Sequence, residues 1–327
     1  MNNLLINIYT SGTDIVERLQ KILDAEQTNF YNIIVNLYEP GIRYHENDKI
    51  QSFVDLIERN KSKENVCFYG CNFANRTGLP LKFINNMFHE GPDLYSKNAM
   101  CKGLLAKCVP VEDKSSDLKR FDFLMGGTTE IKDRLYEDLQ QHPVNAQVYT
   151  TYYRDDPKKG KWSADVKIPV NHTAETIYDR HKSTLRYSDL IDPEIYNSTF
   201  YTALIETACH PDFGVFTEKT AKPIVGRRPF VVFGSPGHLR ALRNLGFETF
   251  STVIDESYGE EKDMQKRFDM VLDAMMELCS QDPKSVYEDL KDILQHNKNH
   301  FENTDWNKEF QQVTRRSKKV DLFRFEQ

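Results

Sequence analysis

Strand-like and helix-like segments alternate along this chain twice over, and that alternation constrains its fold more than any other feature. Residues 3 to 9 (NLLINIY) are a short apolar run of strand length, followed by SGTD and then IVERLQKILDA, where Ile15, Leu19, Ile22 and Leu23 recur at helical spacing. NIIVNLYEP predicts a β-branched strand stopped by a proline. KIQSFVDLIERN predicts a helix, ENVCFYGC a third strand, and LKFINNMFHEG, after GLP, another helix. Alternation in this order argues for a parallel sheet covered by helices, so the first part of the chain reads as a Rossmann-like domain.

A polar, charged stretch, VEDKSSDLKR, follows at residues 111 to 120 and reads as a hinge. The pattern then restarts with strand FDFLMGG, helix TTEIKDRLYEDLQQH and strand AQVYTTYY, before an irregular polar stretch from Arg154 to about Asn197. Strand STFYTALIET, a short helix TEKTAKPIV, strand PFVVFG and helix PGHLRALRNLGF come next. From Asp263 the chain reads as helices: MQKRFDMVLDAMMELCS, DPKSVYEDLKDILQHN with a proline in its first turn, and WNKEFQQV. The expected fold class is α/β, with a Rossmann-like domain over 1–115, a second over 116–280 and a helical tail over 281–327. Ligands of such sheets bind outside the carboxyl ends of the strands, which places the expected site in a cleft between the two lobes.

Composition narrows the function classes. The 327 residues are 39% hydrophobic and 28% charged, which is a globular rather than a disordered or fibrous balance. No run approaches the ~18 to 20 consecutive apolar residues of a membrane span, and the start MNNLLINIYTSGTDIVERL lacks a basic region and a cleavage site of the secretory kind, so a cytoplasmic protein without membrane contact is expected. Six widely spaced cysteines fit reduced thiols better than a disulfide scaffold, and VCFYGC reads as a strand rather than half of a zinc site. The formal net charge of −6 leaves any nucleic-acid contact to local basic patches.

Chemistry concentrates in residues 216 to 247, FTEKTAKPIVGRRPFVVFGSPGHLRALRNLGF. Thr217 is a natural cap, so Glu218 and Lys219 open a helix whose positive dipole end favours phosphate, the carboxylate suiting ribose hydroxyls and the ammonium a diphosphate. Gly234 and Gly237 permit close backbone approach to a ligand after the next strand, and Arg227 and Arg228 are either cleft or surface arginines. Glu39 follows the second strand, where a general base acting on an acceptor hydroxyl is expected; Glu90 and Asp93 stand in reserve, and His45 and His89 read as surface or capping residues. TYYRDDPKKGKW sets Tyr152, Tyr153 and Trp162 among Lys158, Lys159 and Lys161, and TRRSKK adds Arg315, Arg316, Lys318 and Lys319. Aromatics interleaved with lysines suit a nucleic-acid backbone, whereas a solvated loop and a charged tail are the plain alternative.

Residues 201 to 234, YTALIETACHPDFGVFTEKTAKPIVGRRPFVVFG, resemble the donor-binding signature of the alpha-1,3-fucosyltransferases, in which a strand ending Glu-Asn-Ser precedes Asp-Tyr-x-Thr-Glu-Lys, a helix and a Val-Pro-Val-Val-x-Gly strand. The resemblance places Glu206 at that family's glutamate and Glu218 and Lys219 at its ribose and diphosphate contacts. FDFLMGGTTEIKDRLYEDL is similar to the family's first donor-domain strand and helix, which implies phosphate contacts from Lys132 and Arg134. Val215 stands where the family has a base-contacting tyrosine, and Glu-Thr-Ala replaces Glu-Asn-Ser. The pattern TEKTxKPI…PFxVxG…LxxLRxLGFxTF also resembles glycosyltransferase-like proteins of large tailed bacteriophages.

These likenesses imply a GT-B fold, two Rossmann-like domains facing across a cleft with C-terminal helices. They imply a glycosyltransferase that moves a sugar from a UDP- or GDP-linked donor to a hydroxyl acceptor without a metal. Glu39 is then the base, and Glu218, Lys219, Lys132, Arg134, Glu206, Thr217 and Gly234 bind the donor. The phage likeness suggests double-stranded DNA carrying hydroxymethylated bases as acceptor, held by Lys158, Lys159, Lys161 and Trp162, with the host cytoplasm as location. The alternatives are a glycan or lipid-linked acceptor, or a catalytically idle nucleotide-binding phage protein.

Overall fold

The computed structural model describes residues 3–8, 13–26, 32–37, 55–56, 59–60, 66–70, 81–82, 95, 97–125, 130–154, 163–164, 191–206, 209, 216–306 and 317–322. The chain is α/β and gathers into two compact units, one of residues 1–90, 210–216 and 304–327, the other of 91–209 and 217–303. This division differs from the sequence boundaries. The helices from residue 283 to 303 belong to the second unit rather than to a separate tail, and two segments return to the first.

The first unit holds a five-stranded, all-parallel sheet in the order β10-β1-β2-β3-β4. Its strands are β1 (Asn3–Ile8), β2 (Asn32–Leu37), β3 (Val66–Gly70), β4 (Leu81–Lys82) and β10 (Ser317–Leu322). Leu4 and Ile6 of β1 are buried together with Ile15, Val16, Leu19 and Leu23 of α1 (Thr13–Glu26), so the helical stripe read from the sequence does face the core, with Val16 in it and Ile22 at its margin.

Two local readings are corrected here. Leu81 and Lys82, expected to open a helix, pair instead with Phe68 and Tyr69 of β3. Ser317–Leu322, read as charged tail, lies parallel to β1 with Val320 opposite Ile6. An open strand edge offers a row of backbone donors and acceptors, and satisfying them outweighs the weak local preference of a short polar segment.

The second unit has the order β7-β6-β5-β8-β9, parallel except for the antiparallel two-residue β7. Its strands are β5 (Lys119–Met125), β6 (Val148–Arg154), β7 (Ser163–Ala164), β8 (Thr199–Ile205) and β9 (Phe230–Phe233). Every residue of β8 and β9 is buried, as expected of strands covered on both faces. The helices are α2 (Ala99–Leu105), α3 (Glu130–Gln141), α4 (Pro193–Asn197), α5 (Glu218–Val225), α6 (His238–Asn244), α7 (Met264–Cys279), α8 (Pro283–Asp289) and α9 (Lys291–Asn303). The stretch expected as one helix over 282–297 is two, meeting at the fully buried Leu290. Phe268 of α7 meets Phe233 edge-on with ring centres 5.2 Å apart, and Phe230 meets Phe250 at 5.0 Å, closing the core over β9. Among the described residues no helix is long and apolar enough to cross a membrane.

A buried ion pair anchors the middle of this sheet. Arg228, a candidate for the cleft in the sequence, is 3% exposed and donates to Asp122 of β5 at 2.7 Å, to the hydroxyls of Thr199 and Thr202, and to the carbonyls of Tyr196, Thr199 and Tyr201. All five of its N–H groups are thereby used, and the guanidinium lies 4.2 Å from the Tyr196 ring centre. It is a structural clamp, because a charge this deep must be paired and fully hydrogen-bonded.

Candidate functional site

From β5 the second sheet grows to one side through β6 and to the other through β8 and β9, so the neighbouring β5 and β8 mark where strand order reverses. In open parallel sheets the crevice beyond the carboxyl ends of such a pair is the usual ligand position. Each of the two strands is followed by a helix whose first turn carries a lysine, Lys132 on α3 and Lys219 on α5.

The start of α5 is built from Glu206, the first residue beyond β8. Glu206 is fully buried, and its carboxylate accepts from the Thr217 N–H at 3.0 Å, the Thr217 hydroxyl at 2.6 Å and the Thr220 hydroxyl at 2.5 Å. Thr217 in turn caps the helix through Lys219 N and accepts from Lys219 Nζ at 3.2 Å. Burial pushes the Glu206 carboxyl above its ordinary range, against the opposing pull of Lys219 and the two hydroxyls. Glu206 and Thr217, expected at the donor, have a scaffold role in this geometry. Their polar atoms are spent on one another, and they hold the helix start in place.

Glu218 and Lys219 are the half-buried, solvent-reaching product of that scaffold. Their side chains are 19% and 23% accessible and paired at 2.9 Å. Burial works against the Glu218 charge, but the Lys219 ammonium outweighs it and holds the carboxyl below its ordinary range. Lys132 is half-buried, and burial first and the like charge of Lys219 second lower its pKa, with Cys209, Glu218 and Glu206 opposing. Two lysines thus stand in the first turns of the helices that follow β5 and β8, at the positive helix ends, and the charge of Lys219 is felt at Lys132. Such an arrangement favours an anion between them.

Arg134 does not join them. It is exposed on α3, as expected of a position two residues from Lys132, which a helix turns through roughly 200°. A Cβ at Gly234 would lie 2.9 Å from Nδ1 of His238, so the absence of a side chain there makes room for the buried imidazole. Arg227 lies on the surface with φ 51° and donates to Gln295 at 3.2 Å. Glu39, Glu90, Asp93, Lys158, Lys159, Lys161 and Trp162 lie outside the described residues.

Four residues of the site were not singled out in the sequence. His238 is 3% exposed and burial alone drives its pKa down to about 3, so it is neutral. The Thr220 hydroxyl proton is committed to Glu206, which leaves Thr220 Oγ1 to accept from His238 Nε2 at 3.5 Å. Arg267, 1% exposed, donates to the Cys209 carbonyl at 2.6 Å and the Glu261 carbonyl at 2.7 Å, fastening the chain just past β8 to the start of α7. The single S–H of Cys209 is shared between the Glu206 and Phe233 carbonyls, and burial pushes its thiol up to about 12, which makes it inert. A threonine three residues after a capping threonine was the one legible hint.

No group of histidine, cysteine and carboxylate side chains is gathered for a metal among the described residues. No protein-family model matches the chain, and no curated protein is significantly similar to it.

Proposed function

We propose that the chain is a nucleotide-sugar-dependent glycosyltransferase of GT-B type, with the donor diphosphate seated between Lys132 and Lys219. The observation that carries this reading is that a lysine stands in the first turn of each of the two helices that follow β5 and β8, the strand pair where sheet order reverses. A departing nucleoside diphosphate carries the charge that develops in sugar transfer, and preorganised cations at helix N-termini stabilise it without reorganisation. Glu218, kept ionised by Lys219, accepts from ribose hydroxyls. Glu39 deprotonates the acceptor hydroxyl. The acceptor we assign is a hydroxymethylated base in double-stranded DNA, met by the Lys158, Lys159, Lys161 and Trp162 segment.

Thermal stabilisation by UDP, GDP and their sugars, measured on the wild type and on Lys219→Ala, tests the donor site. A ligand at ~100 times its Kd adds about 2.7 kcal/mol. Stabilisation by one nucleotide that disappears in the variant is expected; no shift with any nucleotide overturns the reading. Replacing Lys158, Lys159 and Lys161 together by Glu is expected to abolish transfer to hydroxymethylated duplex DNA while leaving donor hydrolysis intact, and unchanged transfer removes that acceptor segment.

A further inference from the structure

At the opposite end of the second sheet, beside the first residues of β8, lies a cavity of about 650 Å³. Six cationic side chains line it, Lys114, Arg227, Arg228, Lys284, Lys291 and Lys298, against two carboxylates, Glu112 and Glu288. The volume is that of a small-molecule site. Neither carboxylate neutralises the cations deepest in the wall. Lys114 is 8% exposed, and its ammonium donates to two neutral acceptors, the carbonyls of Tyr196 at 2.5 Å and Thr199 at 2.7 Å. Its third N–H has no acceptor among the described residues. The carboxylate buried nearby, Asp122, is already engaged by Arg228 at 2.7 Å. Arg228 and Lys114 therefore share one buried carboxylate.

The mouth repeats the imbalance. Lys284 donates to the Glu112 backbone carbonyl at 2.9 Å and Arg227 to the Gln295 amide, both neutral. Lys291 has Glu288 at 3.4 Å, and Lys298 has Glu302 at 3.9 Å, a loose pair. Arg227 reaches this position because its backbone adopts φ 51°, a left-handed conformation that a side chain disfavours, between α5 and β9. Strain of this kind collects where a side chain must be delivered to a ligand.

We propose that this cavity binds a compact polyphosphate-bearing small molecule, with Lys114 at its floor and Lys284, Arg227, Lys291 and Lys298 around its mouth. A single phosphate is too small for it. Lys291 and Lys298 are seven residues apart on one helix, about 10 Å along its axis, a span that a chain of phosphates covers and one phosphate does not. The cavity is separate from the donor site, since β8 spans ~20 Å between the two.

The test is calorimetric titration of inorganic tripolyphosphate into the full chain carrying Lys132→Ala and Lys219→Ala, which removes the donor pair. One equivalent is expected to bind in this background, tenfold or more weakly once Lys284→Glu and Lys291→Glu are added, because a favourable charge contact becomes a repulsive one. Arg227→Gly, which removes a cation while relieving the strained backbone, is expected to weaken binding several-fold in a protein that melts no lower. Raising salt from 0.05 to 0.5 M weakens binding throughout. Absence of binding in the Lys132→Ala, Lys219→Ala background overturns the cavity site. So does binding that ignores Lys284→Glu, Lys291→Glu and Arg227→Gly. Neither result touches the donor reading, whose nucleotide test uses the wild type.

Discussion

Replacing Asp122 by asparagine keeps the shape of the side chain and removes one charge. In the wild type a single oxygen of the fully buried Asp122 carboxylate lies 2.7 Å from Arg228, 3.0 Å from the Thr199 hydroxyl and 3.3 Å from that of Thr202. Arg228 has five further contacts, all to neutral oxygens, so asparagine leaves it hydrogen-bonded but electrically uncompensated. Lys114, whose pKa burial first and Arg228 second lower to about 7, is charged only in part at pH 7 and adds to the uncompensated positive charge. Breaking a buried pair by removing one partner costs ~3–5 kcal/mol, a large share of the ~5–15 kcal/mol that holds a typical domain together. Arg228→Met strands the opposite charge and is expected to cost a similar amount. The double variant strands neither, so its loss is expected to fall short of the sum by ~0.5–3 kcal/mol. Urea unfolding of the four proteins at pH 7, followed by circular dichroism, measures the cycle. An Asp122→Asn loss under ~1 kcal/mol, or strict additivity, would refute the view that the pair is a coupled clamp at the centre of the sheet.

Other expectations follow from the same geometry. His238 titrates at about 3 folded against about 6.5 unfolded, so its neutral burial contributes stability above pH 6.5 that is lost as pH falls from 6.5 toward 3. The wild type is expected to lose up to ~1.4 kcal/mol per pH unit in that window relative to His238→Gln, and parallel pH profiles of the two would refute it. Gly234→Ala sets a methyl 2.9 Å from the buried His238 ring and is expected to cost ~1–3 kcal/mol in urea unfolding. Arg227→Gly is expected to stabilise the protein by ~1 kcal/mol, because glycine adopts φ 51° without penalty; a lower melting temperature contradicts this.

The donor-site expectations divide according to what each residue touches. Lys219 and Glu218 were legible because a threonine cap followed by charged residues is a local signal, and the cap forms as read. Glu206 and Thr217 were read as ligand contacts, yet nothing in ETACHPDFGVFTEK shows that a glutamate and a threonine eleven residues apart exhaust each other's polar atoms. Arg228 carried no local sign of burial either, since its partner Asp122 lies 106 residues earlier in the chain.

The alternation of apolar runs with amphipathic helices is written into short windows of sequence, because strand and helix periodicities involve residues only two to four apart. For that reason the α/β class, the order of most elements and the start of α5 were determined by the sequence alone. Strand order, the return of Ser317–Leu322 to β1, the charge of Lys219 felt at Lys132 and the six cations around one cavity were decided by the tertiary structure. They depend on which distant backbone edges and which buried charges find each other, and those energies belong to pairs of segments that no local pattern records.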